Sequence, residues 1–495
     1  MAESSSTTAV PTRWVPHVPP AGAPASPPTG PVRPRPGLVL AAACVCQLLV
    51  VLDISVVNVA LPSIGDALGF ASSSLSWVIN AYTLTFGGLL LLGGRLADLI
   101  GHRRTMLAAL ALFGTVSLLG GLATGPGQLI AARAAQGVAA AVLSPVSLTV
   151  LMVAFPDAHG RRRALAAWGV VATGGGALGV LLSGVLTQYL SWRWVLFINV
   201  PIVLAAAGLA LTAIRGHGAR AHAQLDVLGA LLATATTTLL VYGCVHASES
   251  TWSDPVTLAV FLLAAPCGAG FVLRETRAAT PLVRLSVLRV RRVWLAVVVL
   301  AFIGAAMISG FYFGSLSLQQ VLGYDPVITG LAFLPFFACM AIATSAGPRL
   351  LERYGTRLVL TAGLVVAAAG MAAFGRLGPG SGYLTFLIAT VPASIGLGLS
   401  LAPTLTMGTA GVERDDAGMV SGLLNTSRQV GGSLALAALA TVVAAVAGPN
   451  AGGVEAATGY RAAFVLTGAL LFTAALIVLT CVPRRAPDRQ QAGER

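Results

Sequence analysis

The chain has 495 residues, 56% of them hydrophobic and only 9% charged, with a mean hydropathy of +0.85. Soluble domains carry about 25% charged residues, so a soluble globular protein is excluded. The net charge of +13 comes from arginine alone, since there is no lysine. These arginines fall between apolar runs, where they orient a chain in a bilayer, so nucleic-acid binding is excluded as well.

Residues 1–36 hold ten prolines and little that is apolar, which predicts a disordered cytoplasmic tail. The stretch lacks the apolar region and cleavage site of a signal peptide. Apolar runs of roughly 20 residues follow, each long enough to cross about 30 Å of hydrocarbon. The alternating segments of a barrel do not occur. The runs predict an all-α polytopic membrane protein with fourteen transmembrane helices, near 38–61, 76–98, 105–124, 128–152, 163–188, 194–214, 226–247, 255–274, 292–314, 326–350, 357–376, 382–407, 417–447 and 460–482. They group as an N-terminal six-helix bundle (37–214), two inserted helices with their linkers (215–291), a C-terminal six-helix bundle (292–482) and a cytoplasmic tail (483–495).

The first helix contains LDISVVNVALP (52–62), and Asp53 is the only formal charge between Pro36 and Gly65. A charge at the centre of a membrane helix costs roughly 2.5–3.5 kcal/mol on insertion scales, so Asp53 predicts function. Gln47, Ser55 and Asn58 share an arc of the same helix, with Asp53 off that arc and directed at a neighbouring helix such as the fourth. After the second helix comes GGRLADLIGHR (93–103), and after the tenth comes GPRLLERYGTR (347–357). The two pair Gly93 with Gly347, Arg95 with Arg349, Leu96 with Leu350, Asp98 with Glu352, Gly101 with Gly355 and Arg103 with Arg357. A weaker echo pairs WRWVLF (192–197) with YRAAF (460–464), which gives a plan of six, two and six helices.

Arg133 lies early in the fourth helix, with Gln136 on the same face. Both Asp53 and Arg133 fall in the outer half of the membrane. Arg428, with Asn425, sits roughly 16 Å into the thirteenth helix, near the midplane. There it faces either a cavity or a structural partner. His222 and Asp226 stand four residues apart at the start of the seventh helix and read as a loop histidine beside an N-cap. The six cysteines (44, 46, 244, 267, 339, 481) lie in apolar runs and match no metal spacing.

Loops with His102-Arg103-Arg104, Arg161-Arg162-Arg163, Arg215 and Arg220, Arg274 to Arg292, Arg349 to Arg357 and Arg414 alternate with loops nearly free of arginine. The positive-inside rule places the Arg-rich set, and with it both termini, in the cytoplasm.

These stretches resemble the major facilitator superfamily, and within it the fourteen-helix drug:proton antiporters. LDISVVNVALP resembles that branch's first-helix motif, GRLADLIGHRR the loop between helices 2 and 3, RAAQG (133–137) the fourth-helix motif, and SWRWVLFINVP (191–201) the start of helix 6. LGYDPVITGLAFLP (322–335) and NTSRQVGGS (425–433) extend the likeness, which covers about residues 38–482. The resemblance implies two six-helix bundles in the major facilitator fold and export of a hydrophobic or amphiphilic drug or antibiotic across the cytoplasmic membrane. Protons would enter in exchange, with Asp53 and Arg133 coupling the two. The polar arc of helix 1, the face beside Arg133 and the depth of Arg428 predict a substrate cavity touching Gln47, Asn58, Gln136, Asn425 and Arg428. Asp98, set against the start of helix 13 near Ala417, would form a conformational latch with Gly94, Gly101, Arg103, Arg104, Glu352 and Arg357.

The fifth-helix motif of the antiporters, G-x-x-x-G-P-x-x-G-G, reads GGALGVLLSG (175–184) here. Gly175, Gly179 and Gly184 keep close helix packing, while Val180 and Ser183 replace a proline and a glycine. Symport therefore stays open, as does a dedicated exporter of one self-made natural product. No phosphate-binding loop G-x-x-x-x-G-K-[ST] occurs, so the expected driver is the proton gradient with no cofactor or metal. The expected partners are the drug, protons and the bilayer, around a monomer. A membrane-embedded acyltransferase-like enzyme is the rival class, opposed by histidines scattered over tail and loops.

Overall fold

The computed structural model describes residues 36–71, 74–214, 226–278, 281–410, 412, 416–448, 451 and 454–482. The expected tails before residue 36 and after 482 lie outside the described residues. So do Arg215, Arg220, His222 and Arg414 and the side chains of Asp98, Ser248 and Ala417. The helices are α1 (Pro36–Leu68), α2 (Trp77–Ile100), α3 (His102–Gly121), α4 (Pro126–Ala154), α5 (Ala158–Tyr189), α6 (Trp194–Phe197), α7 (Asn199–Ala213), α8 (Val227–Glu249), α9 (Pro255–Arg277), α10 (Arg291–Leu316), α11 (Pro326–Ala332), α12 (Leu334–Phe374), α13 (Tyr383–Thr409), α14 (Ala417–Ala447) and α15 (Ala457–Cys481).

Thirteen helical stretches among the described residues are long and apolar enough to cross a membrane, and one of them, Pro326–Phe374, has 49 residues. At 1.5 Å per residue that stretch would run roughly 74 Å, more than twice a hydrocarbon core of about 30 Å. It breaks at Gly355, where φ is 77° and ψ 162°. Gly101, between α2 and α3, has φ 92° and ψ 138°. Both angles lie in a region that glycine alone enters cheaply. Divided at this break, the stretch gives two helices of spanning length, about fourteen in all among the described residues, and the two glycines paired in the sequence repeat turn the chain at matching places.

Some boundaries differ from expectation. The first helix runs on through Pro62 to Leu68, because Leu61 and Ile64, both fully buried, hold the turns on either side of the proline. The sixth is broken at Ile198 into α6 and α7.

Helices α1–α7 form one bundle and α10–α15 a second. Within the first, α2 and α4 cross backbone to backbone. A side chain on Gly93 would meet the Ala141 carbonyl, and one on Gly137 the Tyr82 carbonyl. The inserted pair straddles the seam between bundles. Thr234 of α8 fills the space at Gly88 of α2, and the Thr441 hydroxyl of α14 donates to the Cys244 carbonyl of α8 at 2.8 Å. The bundles also meet directly. The Thr83 and Ser433 hydroxyls join α2 to α14, and Gln319 Nε2 donates to the Val59 carbonyl at 2.8 Å. Large apolar side chains such as Leu204, Leu262 and Ile342 stand on the perimeter, 68–76% exposed, which suits contact with lipid.

Candidate functional site

Asp53 is fully buried in the middle of α1. Its Oδ2 accepts from Arg133 Nη1 of α4 at 2.7 Å, and the same Nη1 lies 2.8 Å from Gln136 Oε1. Arg133 Nε donates to the Val78 carbonyl of α2 at 3.1 Å, and its guanidinium lies 4.5 Å from the centre of the Tyr82 ring. The second carboxylate oxygen, Oδ1, accepts from Asn199 Nδ2 at 2.7 Å and from Gln136 Nε2 at 3.2 Å. Gln136 Nε2 also donates to Ser117 Oγ of α3 at 2.8 Å. None of these six side chains is more than 1% exposed.

Five helices, α1, α2, α3, α4 and α7, thus converge on one carboxylate. Every partner of Asp53 presents a donor, which is the set a carboxylate requires. A buried ion pair is weak evidence of stability in itself, since desolvation offsets much of the attraction. Losing one member is costly, because the other remains as an uncompensated charge. Two polar atoms of the cluster have no hydrogen-bond partner: Asn199 Oδ1 and the Tyr82 hydroxyl. Such buried orphans are uncommon. The Asn199 amide, turned about its Cβ–Cγ bond, would present that oxygen to a protonated Asp53. Gln136 Oε1 already accepts from Arg133. Asn199 therefore equips the cluster to satisfy both charge states of the acid.

The structure brings Asp53 and Arg133, both expected in the outer half of the membrane, into direct contact. Gln136, expected along the substrate path, belongs instead to this sealed cluster, because the face it shares with Arg133 turns into the bundle. Asn199, Ser117 and Tyr82 carry no charge and were not singled out. The only signal was Asn199 inside SWRWVLFINVP.

The remaining candidates are dispersed. Gln47 is buried with Oε1 unpartnered, and Asn58 donates to its own helix at the Ile54 carbonyl, 2.9 Å away. Arg428 Nη2 donates to Asn425 Oδ1 at 2.8 Å. Gly175 and Gly179 of α5 lie on α1, where a side chain at Gly179 would come within 2.7 Å of Ser55 Cβ. Gly184 lies on α11, with the Pro326 carbonyl 2.5 Å from such a side chain. Val180, fully buried, presents its carbonyl to Gly330 of α11, so α5 meets the second bundle without a proline bend.

Around the expected latch, Gly94 faces Pro145, while Arg104 and Glu352 are exposed. Arg103 Nη2 donates to the Leu211 carbonyl at 3.2 Å, and Arg357 donates to the Leu479 carbonyl. Each arginine satisfies the last turn of a helix in its own bundle, a contact favoured by the helix dipole. Among the described residues, the linker after α9 bridges the bundles at this end, beside a direct contact of Gly422 of α14 with Leu91 of α2. Arg95 donates to the Pro281 carbonyl at 2.8 Å, and Arg284 pairs with Asp416 at 3.0 Å.

Gly93 and Gly347 stand 254 residues apart. That step carries Asp53 to Met307, Tyr82 to Phe336, Ser117 to Met371, Arg133 to Leu387 and Gln136 to Thr390. Met307, Phe336, Met371 and Thr390 line one cleft in the second bundle, together with Phe311, Phe333 and Phe374. Among the described residues no group of three or more His, Cys, Asp or Glu side chains gathers.

A model of the Major Facilitator Superfamily matches residues 43–436. The cephamycin export protein CmcT of Amycolatopsis lactamdurans is 43% identical over 451 residues, 90% of this chain and 91% of that one. The puromycin resistance protein pur8 of Streptomyces alboniger is 41% identical over 446 residues, 88% of each chain. Among solved structures, a bacterial homologue of the human lysosomal transporter Spinster superposes with a TM-score of 0.65 at 17% identity, covering 92% of this chain and all of that one.

Proposed function

The chain belongs to the major facilitator superfamily, a family of membrane transporters, and from that premise we propose that it exports an antibiotic or similar amphiphilic compound in exchange for protons. The observation that carries the reading is the Asp53–Arg133 pair, a carboxylate sealed among donors with one amide able to serve either charge state. Intramembrane acids in such settings commonly carry protons. Asp53 takes a proton from the outer side and releases it inside, while the compound leaves. The Arg-rich loops and both termini lie in the cytoplasm, the bilayer is the cytoplasmic membrane, and the monomer is the working unit. Coupling uses the proton gradient with no cofactor.

The names of two relatives, one an export protein for cephamycin and one a puromycin resistance protein, support an antibiotic as cargo. The first of these also favours a second reading, a dedicated exporter of one natural product. A susceptibility panel in an efflux-deficient host separates the two, since a dedicated exporter protects against a single chemical scaffold. The driving force is tested in everted vesicles. Accumulation of a protected compound should collapse when nigericin removes the pH gradient and should continue without ATP once the gradient is imposed. Accumulation indifferent to nigericin contradicts antiport. A cysteine placed at the exposed Ser253, between α8 and α9, should react with an impermeant maleimide from outside intact cells.

A further inference from the structure

We propose that residues 281–290, between the inserted helices and the second bundle, are a clasp that closes the cytoplasmic end of the seam and lets go of α2 each time the protein opens to the cytoplasm. The inference rests on the exporter reading above, in which cargo enters from that side.

The clasp begins at Pro281 and ends in a 3₁₀ turn, Leu285–Arg289, just before α10. Connecting segments normally run over the surface. This one buries two apolar side chains, Leu282 and Val283, which are only 3–4% exposed. They pack among Leu89, Leu91 and Leu92 of α2, Ala230 of α8 and Leu423 of α14. Leu91 also lies against Gly422 of α14, so the two side chains sit where the bundles touch. Glu275 of α9 accepts from the Val283 amide at 3.1 Å and holds the tip of the clasp in place.

The remaining contacts divide between the bundles. Toward the second, Arg284 Nη1 pairs with Asp416 Oδ1 at 3.0 Å, and the Arg284 amide donates to Met419 Sδ at 3.3 Å. Val287 is buried in the same apolar cluster as Val293 and Leu295 of α10. Toward the first, the clasp has Leu282 and Val283 on α2 and the hydrogen bond from Arg95 Nη2 to the Pro281 carbonyl at 2.8 Å. Alternating access rocks one bundle against the other. Contacts inside a bundle survive that motion, while contacts across the seam at the opening end part. The clasp runs directly into α10 and is paired with α14, so it travels with the second bundle. The contacts that part are those with α2.

The test uses the full chain in everted vesicles, with its six cysteines replaced by alanine. Puromycin and ethidium are the exported probes. Two cysteine pairs are bridged by a short bis-methanethiosulfonate that a reductant releases. Leu92→Cys with Val283→Cys ties the clasp to α2, and Arg284→Cys with Asp416→Cys ties it to α14. The α2 link should stop export, which returns on reduction, while the α14 link leaves export near the unlinked rate. Full export by the α2-linked protein overturns the inference. Arrest by the α14 link as well, or no bridging of the α2 pair, overturns it too. A second arm needs no cargo. Leu91→Cys, covered by the clasp, is labelled by an impermeant maleimide from the cytoplasmic face. Adding Leu282→Ser and Val283→Ser, in protein monodisperse in detergent, should raise the labelling rate about tenfold or more, since two buried apolar side chains are lost. An unchanged rate contradicts the clasp. Export of neither probe by wild type counts against the exporter reading, and the labelling arm then decides the clasp alone.

Discussion

The two bundles place different chemistry at the same address. In the first, Asp53 forms a buried ion pair with Arg133, and Tyr82, Ser117 and Gln136 surround it. In the second, the positions reached by the same 254-residue step are Met307, Phe336, Met371 and Thr390, and they line an apolar cleft. Backbone geometry is shared, since the repeat glycines turn alike and Arg103 and Arg357 each satisfy the end of a helix in their own bundle. The duplicated scaffold therefore does not dictate charge at this address. One copy can specialise in holding a proton while the other stays free to pack soft, polarisable side chains, which accommodate varied shapes.

The largest expected effect comes from unbalancing the charged copy. Arg133→Leu leaves the Asp53 carboxylate buried with only amide donors, and stability should fall by about 3–5 kcal/mol. Unfolding in mixed micelles measures this. Asp53→Asn combined with Arg133→Leu should recover a good part of the loss, and no recovery would mean that the pair is not the source. The reciprocal change gives the apolar copy a charge without a cation. Leu387 occupies the counterpart of Arg133, so Met307→Asp should cost roughly 2.5–3.5 kcal/mol, read as lower yield of folded protein. Adding Leu387→Arg should restore part of it if the two addresses are equivalent.

A smaller effect is expected from Asn199→Leu, which removes one donor and the orphan acceptor without touching the ion pair. With a hydrogen bond to a charged group worth about 1.5–3 kcal/mol, pH-driven export should slow by about tenfold or more, and Asn199→Ser should keep part of the rate. Equal rates in both variants and wild type would show that Asn199 only fills space. The smallest effect belongs to Arg103→Gln and Arg357→Gln. Each loses a contact to a helix-end carbonyl, and each should lower stability by about 0.3–1 kcal/mol, alike in the two bundles. A large effect from one alone would break the equivalence and return that arginine to a role across the seam.

Much of the architecture was legible because membranes punish certain residues. Apolar runs marked the passes, and Gly101 and Gly355 marked the repeat, since only glycine turns the chain there cheaply. Asp53 and Arg133 announced themselves as isolated charges. What stayed hidden was neutral. Ser117 and Tyr82 resemble many other residues of apolar helices, and Asn199 carries no charge to betray its reach to Asp53. Gln136 stood on the same face as Arg133, but sequence spacing cannot say whether that face meets a cavity or a neighbouring helix. The cleft around Met307 was invisible because its side chains are those of any packed interior.

The central claim is that Asp53 carries the exchanged proton, and one comparison in sealed vesicles tests it most directly. Asp53→Asn keeps the size of the side chain and some of its hydrogen bonds but cannot ionise. The variant should still exchange labelled compound for unlabelled compound across the membrane, which requires no net proton movement, and should fail to concentrate the compound when a pH gradient is imposed. If Asp53→Asn concentrates the compound against its gradient as well as wild type does, the proton travels elsewhere and the account is wrong.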